Sequence, residues 1–550
     1  MISYVCKYTP VELFMGFGED CAVLDETPKN FEISDRYAQS NLCGFGKSVI
    51  QAALSGRAEE LVLVNCCDTI RRVYDILKDR GVCRFLYLLD LPHLTDCCRK
   101  EAFAESLSTL KNAYALYSNR KFDRERFLSA FTETAEIPSG PYIGILGARA
   151  GAYAETVIRE SLPLPVRNLS CVGFRRPAMD GRKLEGASEE ELFFAYADAL
   201  LSQLPCRRMN GTEGRKSLFN DPNLLAAVYH TIKFCDYYGF EYAEIKNGLS
   251  VPVLRLETDG TAQSFEQLRT RLEAFAETLS GSVREGAKGS ACAKGRFAAG
   301  IDSGSASTDV VILDQEKNLV ASAIIPTGGG AQLSAEKCLA EALAKAGIGR
   351  SELSRIVTTG YGRAYIDGSD GNVTEISCHA KGAHFLRPSV RTVIDIGGQD
   401  SKVIKIDEHG MVKNFVMNDK CAAGTGRFLE MMARTLGLTM DEMSALGLSW
   451  KKDVVISSMC TVFAESEVVS LVAQNRALPD IIHGLNSSVA DKVSALVNRI
   501  EPEGEFIITG GVAKNMGVVR ALEKSLGAKL YVCGEAQICG ALGAALFALE

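Results

Sequence analysis

The sequence contains no C-x-x-C pair, only 6 histidines beside 18 cysteines, and no apolar run near the roughly 18 residues that a membrane-spanning helix needs. Without C-x-x-C, zinc ribbons, thioredoxin motifs and ferredoxin-type runs are excluded, so a thiolate metal site must gather its ligands from distant parts of the fold. The opening stretch, MISYVCKYTPVELF, lacks a basic region followed by an apolar segment and a small-residue cleavage site. A cytoplasmic location is therefore expected, and with it reduced thiols in place of a disulfide framework. Basic residues are not in excess: 61 Lys and Arg against 68 Asp and Glu leave a net charge of −7 without long blocks of one sign. That balance excludes a nucleic-acid groove and a polybasic membrane patch, so neither nucleic acid nor membrane is expected as a partner.

What is present is a soluble, globular composition, 47% hydrophobic and 23% charged, over 550 residues, enough for about three to four domains at roughly 150 residues each. Residues 281–296, GSVREGAKGSACAKGR, carry no apolar period and read as a linker between the helical EQLRTRLEAFAETL and the strand-like FAAGIDSG. Residues 1–280 alternate strand runs, LVLV (61–64), FLYLL (85–89) and YIGIL (142–146), with helical patterns, as a doubly wound α/β domain does. A break near 138–140 divides this domain into two lobes.

Residues 297–550 contain an internal repeat at a constant spacing of 93 residues. Ile301, Asp302 and Gly304 fall on Ile394, Asp395 and Gly397; Val310, Val311, Leu313 and Asp314 fall on Val403, Ile404, Ile406 and Asp407. Each copy reads as strand, small-residue turn, alternating strand, polar turn, strand. Two such copies imply two equivalent lobes with a cleft between them.

In the first turn, Gly304, Ser305, Ala306, Ser307 and Thr308 are small enough for backbone N–H groups to approach phosphate oxygens, and Asp302 at the strand end can hold Mg2+ through water. In the second, Gly397, Gly398 and Ser401 repeat the turn, while Asp395, Gln399 and Asp400 can orient metal or attacking water. A third element, FIITGGVAKN (506–515), sets Gly510, Gly511 and Asn515 between strand and helix, where a base and ribose can lie on bare backbone. One glycine pair alone is more often a plain turn; the order and duplication of these three point to a nucleotide. CGFGKS (43–48) lacks the first glycine of a Walker A loop, which is Asn41 here, and reads as a turn beside a cysteine.

With TGYGR (359–363), SCHAKGA (377–383), VIDIGGQDSKVI, NDKCAAGTGRFLE (418–430), SSMCTVFAESEV (457–468) and GALGAALFA (540–548), residues 297–550 resemble the activators of 2-hydroxyacyl-CoA dehydratases, ATP-dependent reductive activases of the actin, chaperone and sugar-kinase superfamily. The resemblance implies a duplicated actin-like, sugar-kinase-like ATPase fold, ATP with Mg2+, and a [4Fe-4S] cluster held by Cys421 and Cys460. It also implies coupling of ATP hydrolysis to low-potential electron transfer in anaerobic metabolism, with ferredoxin or flavodoxin as donor and a dehydratase or double-cubane protein as acceptor. Asp302, Gln399 and Asp400 are the catalytic candidates. Cys421 and Cys460 each precede a helical pattern, where the macrodipole stabilises a thiolate. A cubane usually takes four thiolates and each chain offers two, so a homodimer with a shared cluster is expected.

Residues 1–280 resemble the dehydratase-subunit family that includes double-cubane cluster proteins, through YVCKYTPVELFMGFG (4–18), NLCGFGKS, NCCDTIRRVYDIL (65–77), SCVGFRR (170–176), LPCRRM (204–209) and KFCDYYGFEY (233–242). Cys6, Cys43, Cys67, Cys171, Cys206 and Cys235 lie in these pieces, and a subset of them is implied to hold a second cluster, [4Fe-4S] or double-cubane. Cys21, Cys66, Cys83, Cys97, Cys98, Cys292, Cys338, Cys378, Cys533 and Cys539 read as core or surface thiols, and His93 and His230 as hydrogen-bonded structural residues. A small-molecule kinase on the same nucleotide fold, or a nucleotide-switched binding protein, is the competing expectation. Either leaves Cys421 and Cys460 unexplained.

Overall fold

In the computed structural model, residues 1–131, 140–173, 175–209, 213–246, 248–262, 265–280, 295–418, 422–456 and 460–550 are described. The chain separates into two compact units, Met1–Leu272 and Glu273–Glu550. The expected linker at 281–296 lies almost entirely outside the described residues, as do Cys292 and Cys421. Among the described residues no helix is long and apolar enough to cross a membrane.

The N-terminal unit contains two four-stranded parallel sheets. The first is built from β1 (Ile2–Tyr4), β2 (Cys21–Val23), β3 (Glu60–Val64) and β4 (Phe85–Leu89), in the order β2-β1-β3-β4. Leu61 to Val64 are fully buried, which is why this strand reads as an unbroken apolar run: helices cover both faces of a parallel sheet. The second sheet has β5 (Tyr142–Gly147), β6 (Val166–Asn168), β7 (Leu224–Ile232) and β8 (Val253–Thr258), in the equivalent order β6-β5-β7-β8. CGFGKS is the start of a helix, Gly44–Leu54, and not the turn that its glycines suggested. Its Lys47 is engaged by Asp35 at 2.8 Å and by the Ser40 carbonyl at 3.3 Å, which accounts for the cation without any phosphate.

The C-terminal unit is a duplicated α/β fold with two five-stranded sheets. One sheet comprises β9 (Phe297–Ser303), β10 (Ser307–Asp314), β11 (Leu319–Pro326), β12 (Leu353–Thr359) and β13 (Gly371–Asn372). The other comprises β14 (Val390–Ile396), β15 (Ser401–Ile406), β16 (Val412–Asn418), β17 (Glu505–Thr509) and β18 (Leu530–Tyr531). Their orders, β11-β10-β9-β12-β13 and β16-β15-β14-β17-β18, superimpose element for element. The repeat holds at the level of single bonds: Gly304 N–H donates to Ser307 O and Gly397 N–H donates to Asp400 O, each at 3.0 Å.

Bare backbone lets the layers close. A Cβ on Gly543, in helix Cys539–Ala548, would stand 1.8 Å from the Cys378 carbonyl oxygen of helix Glu375–Leu386. These two helices touch main chain to main chain, and that close packing seats Asp302 against Gly540, where a Cβ would lie 2.2 Å from its carboxylate.

Candidate nucleotide cleft and thiol group

Between the two lobes of the C-terminal unit lies a cleft of about 430 Å3, bordered by both hairpin turns and by the loop after β17. Gly304, Ser305, Ala306, Ser307, Gly397, Gly398, Gly510, Gly511 and Asn515, expected from sequence, all line it, with Asp302 and Asp400. Gly510 sits at φ +83°, and a Cβ there would meet the Ile396 carbonyl at 2.5 Å, so only glycine fits the approach. Asn515 caps helix Met516–Leu526 through its Oδ1, 3.0 Å from Gly517 N and 3.3 Å from Val518 N; its buried Nδ2 has no partner and remains a donor for a ligand.

Three expected residues stand away from the cleft: Thr308 and Ser401 lie in strands, where alternate residues face opposite ways, and Gln399 lies in the turn between β14 and β15. Thr308 pairs with Thr327 at 3.0 Å, and Thr327 in turn donates to the Gly304 carbonyl. Ser401 donates to the Gly424 carbonyl at 2.6 Å. Both hydroxyls brace the turns from behind. Gln399 is exposed and does not border the cleft.

The floor holds residues that motif spacing did not single out. Lys402 Nζ lies 2.8 Å from Asp400, 3.3 Å from Asp395 and 3.4 Å from Glu375, all buried. Burial opposes the ammonium, but these three carboxylates outweigh it and hold its pKa well above the ordinary value. Burial alone would raise Asp395 too; His379, Lys402 and the Thr509 hydroxyl at 3.1 Å instead hold it below the usual range. Burial in turn lowers the His379 pKa, against the pull of Asp395. Tyr361 donates to Asp400 Oδ2 at 3.1 Å.

Asp302, Asp309 and Glu375 sit above the ordinary carboxyl value. Burial, reinforced by Asp309 and Asp395, pushes Asp302 up to about 7; burial does the same to Asp309, and raises Glu375. Asp309 Oδ1 and Glu375 Oε1 are buried without a hydrogen-bond partner. A floor with more carboxylates than cations and two orphaned carboxylate oxygens fits a divalent cation.

Cys460 is exposed as the N-cap residue of helix Thr461–Ala473, next to Val462 and Phe463, which are 64% and 67% exposed. An accessible thiol at a helix start, set in an apolar surface, fits a ligand shared with a second chain. Its expected companion, Cys421, lies outside the described residues.

In the N-terminal unit the six cysteines expected as ligands converge. The charges of Cys6, Cys206 and Cys235 add to burial in pushing Cys171 up to about 12, and Cys43 and Cys67 add to burial in pushing Cys235 up to about 12. Cys66, read from sequence as a core or surface thiol, joins them: it shares hydrogen bonds with Cys6 and Cys67, which lower those two thiols and raise its own. Lys7, fully buried, donates to the Leu204 carbonyl at 2.5 Å and feels Cys206, Cys171 and Cys6. Among the described residues, no three His, Cys, Asp or Glu side chains stand close enough for a single ion. Thiolates that each take one iron of a polynuclear cluster stand farther apart than ligands of one ion, and a cationic core is what makes their mutual approach favourable. The seven thiols fit such a group. His230 is held by the Ala148 carbonyl at 3.2 Å and Thr258 Oγ1 at 2.9 Å, a structural residue as expected, and His93 meets the Arg208 carbonyl at 3.3 Å.

Residues 299–548 match the model of the BadF/BadG/BcrA/BcrD ATPase family, and residues 6–139 and 157–279 match that of the 2-hydroxyglutaryl-CoA dehydratase D-component. A 2-hydroxyisocaproyl-CoA dehydratase activator of Clostridioides difficile is 43% identical over 254 residues, 46% of this chain and 95% of the relative. The (R)-2-hydroxyglutaryl-CoA dehydratase activating ATPase of Acidaminococcus fermentans is 46% identical over 255 residues, 46% of this chain and 97% of the relative. The solved structure of the Clostridium difficile activator with bound ADPNP aligns with a TM-score of 0.45 at 43% identity, covering 46% of this chain and 94% of that one.

Proposed function

The chain belongs to the BadF/BadG/BcrA/BcrD ATPase family through its C-terminal part and to the 2-hydroxyglutaryl-CoA dehydratase D-component family through its N-terminal part, and from that premise we propose an ATP-hydrolysing activase that delivers low-potential electrons. The observation that carries this reading is the joining, in one polypeptide, of a phosphate-turn cleft with an acidic floor to a unit whose buried thiols converge.

Mg-ATP lies with its phosphates on the 304–307 and 397–398 turns and its adenosine near 510–515. Asp302 and Asp309 are the residues that would hold the cation, which would supply charge compensation to the phosphates. Asp400, fixed by Lys402 and Tyr361, orients the attacking water, and the turns of the two lobes shut bulk water out as they close. Cys421 and Cys460 of two chains are the ligands of a shared [4Fe-4S] cluster, which supplies one-electron reduction when bound. Because Cys460 opens a helix packed in the same lobe as the second phosphate turn, lobe closure changes its exposure. Cys6, Cys43, Cys67, Cys171, Cys206 and Cys235, with Cys66, are the ligand pool of a second centre. The external electron acceptor is a dehydratase component, and the donor a ferredoxin or flavodoxin.

Anaerobic purification tests this directly. The expected protein is brown, contains iron and sulfide in both parts of the chain, and reduces a low-potential acceptor only with Mg-ATP. A colourless protein that phosphorylates a sugar or carboxylic acid overturns it in favour of a kinase.

A further inference from the structure

The last two turns of helix Phe265–Ser280 belong to the C-terminal unit, yet lie outside residues 299–548 that match the ATPase family. Glu273 and Glu277, one helical turn apart, project from one face. Glu277 Oε1 accepts from Thr374 N–H at 2.9 Å, and Oε2 accepts from the hydroxyls of Thr374 and Ser377 at 2.5 Å each. Thr374 is the N-cap residue of helix Glu375–Leu386 but makes no side-chain cap bond of its own, so Glu277 supplies both the cap and the anion that the helix dipole favours. Between the two carboxylates, Ala274 is fully buried against Ile376, Ala380 and Ala383 of that helix. Glu273 pairs with Arg363, whose guanidinium also donates to the Gly360 carbonyl at 3.0 Å.

Each anchored segment delivers one residue to the cleft. Arg363 holds the loop that presents Tyr361 to Asp400, and Thr374 precedes Glu375, which meets Lys402 at 3.4 Å; Lys402 and Asp400 join at 2.8 Å. Two chains of contact therefore leave one helix and meet at the second phosphate turn. We propose that Glu273 and Glu277 are positioning residues for the nucleotide cleft, bracing Tyr361 and Glu375 so that Asp400 and Lys402 receive Mg-ATP in a fixed geometry. The inference rests on reading the cleft as a Mg-ATP site.

The test uses the full chain with Glu273→Gln, Glu277→Gln, Ser377→Ala and Tyr361→Phe, reading the Mg-ATP dissociation constant and, separately, kcat and KM. Glu277→Gln should weaken Mg-ATP binding about three- to thirtyfold, the range that residues coupled to a site without touching its ligand produce, with Ser377→Ala a smaller loss of the same sign. Glu273→Gln combined with Tyr361→Phe should lose less than the product of the single losses, because the two act on one path though they do not touch. Wild-type affinity and kcat/KM in both Gln variants, or strictly multiplicative losses in the pair, overturn the proposal. If instead the wild-type chain fails to bind Mg-ATP, the nucleotide reading of the cleft falls, and the two failures are told apart by that control.

Discussion

Replacing Asp302 by Asn should remove ATPase activity and stabilise the nucleotide-free protein at the same time. Its carboxyl titrates at about 7 in the folded unit, because burial and the neighbouring Asp309 and Asp395 penalise the charge. In the unfolded chain an aspartate titrates near 3.9. Below about pH 4 both states are protonated and the residue costs nothing. Between about pH 4 and 7 the unfolded chain gives up its proton while the folded one keeps it, so stability falls as pH rises; above 7 the loss is complete. About three pKa units at 1.36 kcal/mol each give roughly 4 kcal/mol. The Asn variant carries no such cost. Its advantage over wild type in chelator-treated protein should be roughly 2 kcal/mol at pH 5.5 and roughly 4 kcal/mol at pH 8.5 by urea denaturation. Mg-ATP should reverse the order by stabilising only the wild type. A variant less stable than wild type at both pH values, or an advantage that does not grow with pH, would refute the account of the acidic floor.

Gly398→Val should abolish the Mg-ATP-dependent rise in melting temperature in a folded protein, since a Cβ there already stands 2.7 Å from Ala306 Cβ across the paired turns; unchanged ATPase activity removes the phosphate assignment. Lys402→Met should cost about 3–5 kcal/mol at neutral pH in urea, because it strands Asp395, Asp400 and Glu375 without their cation. An unchanged midpoint contradicts that reading. Cys460→Ala should eliminate the EPR signal of the shared cluster and ATP-dependent electron transfer while Mg-ATP binding persists, and a persistent signal or a monomeric holo-protein by light scattering defeats the bridging model.

The duplication was legible because it is written twice in apolar order: strands β9–β10 and β14–β15 repeat nearly continuous buried runs, and their turns repeat down to one 3.0 Å bond. Gly510 was legible for a related reason, since its positive φ and the 2.5 Å approach to the Ile396 carbonyl leave no room for a Cβ. What motif order could not separate was front from back. Thr308 and Ser401 belong to the loops by position but brace them from the rear, and a hydroxyl serves either purpose equally well. Lys402 and Glu375 were missed for a different reason: their importance comes from burial beside Asp395 and Asp400, which only the assembled lobes create.

The thiols show how far topology goes beyond spacing. Cys6 follows β1, Cys66 and Cys67 follow β3, Cys171 follows β6 and Cys235 follows β7, so five of the cysteines sit just past the carboxyl ends of parallel strands. In parallel sheets those ends share one edge, and the helices that begin there, with Cys67 and Cys235 as N-cap residues, point their N-termini toward the same place. Cys43 opens another helix at its N-cap. Scattered over more than two hundred positions, the residues carry no spacing motif at all, yet the order of strand and cysteine places five of them at a ligand-binding edge, while Cys43 and Cys206 follow no strand directly. The same rule recovers Cys66, which the sequence reading left among the core or surface thiols, and leaves out Cys83, Cys97 and Cys98, which precede or lie beyond strand β4 on the chain and do not enter the shared field of thiols. A cysteine immediately after a buried parallel strand is therefore the signal that carries over, because the fold fixes where such a residue must lie whatever the intervening sequence.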